Sequence, residues 1–170
     1  KQYHHIEDHF ARVGATLSRG KPVCRVGVIH PIESYWLCGG PNDTSGAERG
    51  ERDEQFASLN AWLVHSLIDF DYIAESLLPE QPDNDNAELF GVGESAYEAV
   101  LVPGMRTIRS TTLDRLEQFA DAGGRVIFIG QVPTLVDAVE SDRAQRLAER
   151  CHRISMSRAG VLDVLDAQRD

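Results

Sequence analysis

Positive charge is scarce in this chain. Lys and Arg number 17 against 27 Asp and Glu, which leaves a net charge of −10 over 170 residues. A surface for nucleic acid or for an anionic membrane needs the opposite balance, so neither is expected as a partner. Long apolar runs are missing as well: nothing approaches the ~18 residues of a membrane span. No basic start with an apolar middle marks a signal peptide. Cysteine occurs only at Cys24, Cys38 and Cys151, an odd number without CxxC spacing, so no disulfide framework is expected. Cys24 lies in a strand-like run and reads as a small buried hydrophobe. Reduced thiols fit a cytoplasmic protein. There is no internal repeat and no low-complexity segment. The chain opens on KQYHH without a Met and closes on a charged helix, the look of a domain cut from a longer protein.

What is present is a globular composition, 42% hydrophobic and 26% charged, with length enough for a single domain with a sizeable core. The stretch Tyr97 to Gly130 organises the rest. Ala99-Val100-Leu101-Val102 is an apolar run closed by Pro103-Gly104, as in a strand buried on both faces. Leu113, Leu116, Phe119 and Ala120 recur at helical spacing, with Thr111 and Asp114 as a candidate capping box. Gly123-Gly124 stops that helix, and Arg125 to Ile129 is a second buried strand. The three pieces form a parallel βαβ unit.

The remaining elements follow the same alternation. Tyr3, Ile6, Phe10, Val13 and Leu17 make an apolar stripe on a first helix ending near Gly20, and Val23 to Ile29 is the first strand. Residues 30–43 read as a long irregular loop. A helix carrying Phe56, Leu59, Leu63, Leu67 and Ile68 follows the charged run Glu48 to Glu54, and leads to a strand at 70–74. Leu89 to Val92 reads as a short strand, and Pro133 to Val139 as the start of another helix. His152 to Met156 reads as a last strand, with Val161, Leu162 and Leu165 on a last helix. The expected architecture is α/β: a flavodoxin-like three-layer sandwich of about five mostly parallel strands, with 98–102 beside or one strand away from 125–129.

Chemistry is harder to find. His5 and His9 are four apart on the first helix, but the residues between them do not make H-E-x-x-H and no third ligand is evident, so no metal is expected. Gly91-Val92-Gly93 lacks the third glycine of a dinucleotide fingerprint, and Val102-Pro103-Gly104 lacks the Lys and Ser/Thr of a P-loop. These glycines read as turn formers, and no cofactor is expected. Most acids fall on helix faces; Glu33 and Glu94 are the exceptions in loops. Loop 30–43 should stand at the carboxyl end of the first strand, where open α/β sheets put their ligand contacts. It combines Glu33, Tyr35, Trp36, Asn42 and Asp43, a set suited to carbohydrate through an aromatic face and polar hydrogen bonds. On the plainer alternative, Tyr35 and Trp36 only anchor the loop to the core.

The central unit resembles the class I glutamine amidotransferase-like superfamily, in which a strand ending in Pro-Gly, a helix and a further strand lead to a nucleophile elbow bearing Cys. Here the strand Val126 to Ile129 runs into Gly130-Gln131-Val132, with neither Cys nor Ser, and His152 has no acidic partner in a recognisable position. No catalytic residue is therefore expected in this chain. Over nearly its whole length the order of elements is similar to the middle, trimerisation-type domain of family 42 β-galactosidases, an amidotransferase-like fold without catalytic residues. Gly20-Lys21-Pro22-Val23 before His30-Pro31, the segment Ile68 to Ile73, and Tyr97 to Pro103 with Leu113 to Gly124 carry the likeness. Residues 30–43, HPIESYWLCGGPND, look more like large bacterial sugar hydrolases than the galactosidases proper. The resemblance implies a parent glycoside hydrolase whose catalytic barrel lies upstream and holds both catalytic carboxylates. It also implies a homo-oligomer that meets carbohydrate through the parent enzyme. The alternative is a stand-alone amidotransferase-like enzyme or small-molecule-binding domain.

Overall fold

The structure, a computed structural model, describes residues 3–83 and 86–166; the side chains of 42–44 lie outside the described set. Helix α1 (Tyr3–Leu17) leads to strand β1 (Val26–Ile29), the short helix α2 (Ile32–Leu37) and the long helix α3 (Asn42–His65). Strand β2 (Phe70–Ile73) is followed by a hairpin of β3 (Phe90–Val92) and β4 (Ser95–Tyr97). Then come β5 (Ala99–Val102), the two-residue β6 (Thr107–Ile108), α4 (Ser110–Asp121) and β7 (Arg125–Ile129). A second hairpin of β8 (Leu135–Val136) and β9 (Val139–Glu140) precedes α5 (Arg143–Glu149), β10 (His152–Ile154) and α6 (Arg158–Val164).

The central sheet has five strands in the order β10-β7-β5-β1-β2, and every pairing in it is parallel. Numbered along the sheet's own strands this is 2-1-3-4-5, the flavodoxin-like order. The chain moves towards one edge from β1 to β2, then towards the other from β5 onward. Crossovers of a single hand must then fall on opposite faces. They do: Leu59 and Leu63 of α3 pack with Val161 of α6 against Val26, Val28, Leu101, Ile127 and Ile129. Leu113, Leu116 and Phe119 of α4 pack with Ala144 and Leu147 of α5 against Val100, Val102, Val126 and Phe128. Adjacent residues of β5 and β7 serve opposite layers, which is why both runs are continuously apolar. The expected neighbourhood of 98–102 and 125–129 is direct, with Val100 opposite Val126.

The stop after α4 has two separate causes. Gly123 takes φ +92°, the left-handed position that ends the helix. Gly124 is required by space, since a Cβ there would lie 2.1 Å from the Phe119 ring.

Several expectations are corrected. Loop 30–43 is not irregular: Ile32–Leu37 is a helix, and α3 already begins at Asn42. The charged run Glu48 to Glu54 belongs to α3, supported by i,i+4 contacts from Arg52 to Glu48 (3.0 Å) and from Gln55 to Glu51 (3.0 Å). Residues 135–140 form a hairpin rather than a helix, turning at Asp137 and Ala138 with φ 50° and 64°. The pair Thr111 and Asp114 does not cap α4; its N-cap is Arg109, with no side-chain cap of its own. Cys24 lies just before β1 and is only half-buried, with its thiol pushed up to about 11 chiefly by burial.

Candidate functional site

Ligand sites in such a sheet form outside the carboxyl ends of the strands, at the point where the strand order reverses. Here that point lies between β1 and β5. α2 leaves the end of β1, and the segment 103–109 leaves the end of β5. A buried hydroxyl joins them. Ser34 Oγ accepts the N–H groups of Arg106 (2.9 Å) and Thr107 (3.1 Å) and donates to the Thr107 carbonyl (3.3 Å). Thr107 Oγ1 in turn accepts the N–H of Ala138 (3.1 Å), so the β8–β9 hairpin is tied to the same frame.

The start of α4 is held from two other segments. Glu75, just beyond β2, accepts the Arg109 N–H through Oε2 at 2.8 Å. Asp137, in the hairpin turn, accepts the Ser110 N–H at 3.0 Å. Both acids sit at the positive end of the helix, where anions are favoured. Hydrogen bonds from the Ser110 side chain and backbone hold Asp137 below the usual carboxylate range. Glu75 is 1% exposed, and burial pushes its carboxyl up to about 7. The Arg109 N–H and the Arg109 charge oppose that rise, while Glu33 adds to it. Neither Glu75 Oε1 nor Thr112 Oγ1 has a hydrogen-bond partner.

Above this frame lies an open cleft of about 370 Å³, lined by Glu33, Trp36, Thr107, Arg109, Asp137 and Ala138, among others. The Glu33 carboxylate is ion-paired with the Arg109 guanidinium and is 16% exposed. Trp36 is 64% exposed, with its neighbour Leu37 also in the cleft wall. Successive residues of a helix point about 100° apart. Tyr35 therefore faces elsewhere: it lines a small void with Pro31, Arg52, Gln55 and Phe56. Its phenol is pushed up to about 12 by burial and by Asp53. The structure thus brings Glu33 and Trp36 together, separates Tyr35 from them, and leaves the side chains of Asn42 and Asp43 outside the described residues. Glu94, the other loop acid, pairs with Lys21 at 3.5 Å on the surface and lines a different cleft.

Arg109, Asp137 and Glu75 join the site without any motif to announce them. Each follows an apolar strand or sits in a turn, and only tertiary packing gathers them.

The chemistry this rim can perform is recognition. An exposed indole beside a fixed carboxylate–guanidinium pair offers an apolar face and both donors and acceptors. Proton transfer across the cleft is poorly served. Asp137 is held ionised, Glu33 is tied to Arg109, and Glu75, the carboxyl raised towards neutrality, is shut away from solvent. At the turn after β7, Gly130 and Gln131 provide no nucleophile. Among the described residues no group of three or more His, Cys, Asp or Glu could hold a metal ion, and no helix is long and apolar enough to cross a membrane. Cys24, Cys38 and Cys151 are free thiols.

No family model, no curated protein and no solved structure matches this chain. Fold and site together define an α/β domain with an all-parallel five-stranded sheet, flavodoxin-like in strand order, and a polar rim at its switch point.

Proposed function

We propose that this chain is a non-catalytic accessory and assembly domain of a bacterial glycoside hydrolase, amidotransferase-like in descent and cytoplasmic. It packs on the catalytic barrel of its own chain within a homo-oligomer and lends its rim to the sugar site. The observation that carries this reading is Trp36, 64% exposed beside the Glu33–Arg109 pair on a frame fixed by Ser34. An indole left in water on a rigid polar frame suits a sugar ring, which stacks on the aromatic face and hydrogen-bonds at its edge.

Two further features support it. Gly130-Gln131 leaves the amidotransferase elbow without a nucleophile. The apolar stripe of α1, with Tyr3, Ile6, Phe10, Val13 and Leu17, is exposed along its whole length and suits a helix that lies against a neighbouring body.

The test is kinetic. In the full-length gene product, Trp36→Ala should lower kcat/KM on its glycoside by tenfold or more, while the melting temperature stays put. That is the ~1–3 kcal/mol expected of one lost contact. The isolated 170-residue chain should hydrolyse neither aryl glycosides nor glutamine. Unchanged kinetics in Trp36→Ala, or a gene product without glycosidase activity, overturns the reading.

A further inference from the structure

The switch point carries a second cleft, which the Trp36 rim does not use. It lies between α3 and the turns that leave β5 and β7, and has a volume of about 280 Å³. Glu51, Arg52 and Gln55 line it from α3, and Arg106, Gln131 and Thr134 from the opposite side. Met156 is the one apolar side chain among the described lining residues. The two turns are held together: the Met105 N–H reaches the Gln131 carbonyl at 3.4 Å, and a Cβ on Gly104 would come within 3.1 Å of Gln55 Oε1.

Two cations in this cleft are incompletely matched. Arg52 is only 9% exposed; its Nη2 meets Glu48 Oε1 at 3.0 Å, but its Nε has no partner. A buried guanidinium donor normally finds an acceptor. Arg106 has its backbone N–H fixed on Ser34, while its side chain is exposed and makes no ion pair among the described residues. Its charge reaches Glu48 and helps hold that carboxyl low, after the hydrogen bonds from Arg52 and Cys38.

We propose that this cleft binds a small hydroxy acid: one carboxylate on a short hydroxylated chain, the size of a sugar acid. Arg106 takes the carboxylate. The Gln55 and Gln131 carboxamides, the Thr134 hydroxyl and Glu51 take the hydroxyls. The volume lies just below the ~300–1,000 Å³ of small-molecule pockets, room for a short ligand and too small for a dinucleotide. Glu48 and Glu51 also line the cleft, and Glu48 is taken up by Arg52, so one negative charge on Arg106 is accommodated and a phosphate dianion is opposed. This site is independent of the sugar contact at Trp36.

The 170-residue chain should be titrated calorimetrically with D-gluconate, D-glucose and inorganic phosphate, with melting temperatures read in parallel. Gluconate is expected to bind saturably and raise the melting temperature, with glucose and phosphate at least tenfold weaker. Arg106→Ala should weaken gluconate tenfold or more without changing the ligand-free melting temperature. Gln131→Ala should weaken it too, and Trp36→Ala should leave it unchanged. No saturable binding at millimolar gluconate overturns the proposal. So does phosphate or glucose binding as tightly, or gluconate affinity that survives Arg106→Ala. Loss of gluconate binding in Trp36→Ala would move the ligand to the other cleft.

Discussion

Replacing Glu75 by Gln probes the buried frame where its chemistry is most unusual. The carboxyl is 1% exposed and gives one oxygen to the Arg109 N–H, leaving the other without a partner. Burial moves its pKa from 4.5 to about 7, a gap of 7 − 4.5 = 2.5. Because the native pKa is the higher one, the folded state holds the proton longer than the unfolded chain does. Stability from this group is therefore fully present below pH 4.5, falls as pH rises, and is lost once pH passes about 7. At 1.36 kcal/mol per unit, the loss is on the order of 3 kcal/mol. Gln keeps an acceptor for Arg109, carries no charge and does not titrate. The stability difference between wild type and Glu75→Gln should then shift by about 3 kcal/mol in favour of the variant between pH 4.5 and pH 8. Urea unfolding at half-unit pH steps measures it, and the difference curve removes every other titrating group that the two proteins share. A difference that does not change with pH refutes the argument. A wild type that gains on the variant as pH rises refutes it more deeply, because Glu75 would then be held ionised.

Other consequences can be checked by the same unfolding measurements. Gly124→Ala pushes a methyl into the Phe119 ring, 2.1 Å away, and should cost about 1–3 kcal/mol or more; a neutral result would mean that the ring relocates freely. Leu67 ends α3 at φ 58° with its side chain exposed, so Leu67→Gly should stabilise by about 0.5–1 kcal/mol, seen as a raised urea midpoint. Ser34→Ala strands two backbone N–H groups and should cost about 2–3 kcal/mol; an undiminished midpoint would show that the hydroxyl does not join α2 to β6.

The sheet was readable because its strands are buried on both faces. Ala99 to Val102 and Arg125 to Ile129 are continuous apolar runs, and the helix between them has clean periodicity and a Gly-Gly end. What went unread has local reasons. Val136 and Val139 are three apart, which fits a helix as well as a hairpin whose turn is the two residues between; an Asp and an Ala in left-handed conformation give little warning of that turn. The six residues of α2 are too few to show a period. The charged half of α3 has no apolar stripe, only side chains that pair along the helix. In the site, Glu33 and Trp36 were visible because they sit together in a segment rich in aromatic and polar groups. Arg52, Glu75, Arg106 and Arg109 come from a helix face and three connections, and no spacing in the chain relates them.

The two acids that meet the start of α4 come from far along the chain: Glu75 is 34 residues before Arg109, and Asp137 is 27 after Ser110. The body of α4 can form on its own residues, but the N–H groups of Arg109 and Ser110 lack these acceptors until both distant segments arrive. That helix should therefore nucleate from its middle and be completed at its start only as β2 and the β8–β9 hairpin dock. In hydrogen exchange, the Ser110 amide should open together with those of the hairpin and the Arg109 amide with the segment after β2, rather than fraying early as the first residues of a helix usually do.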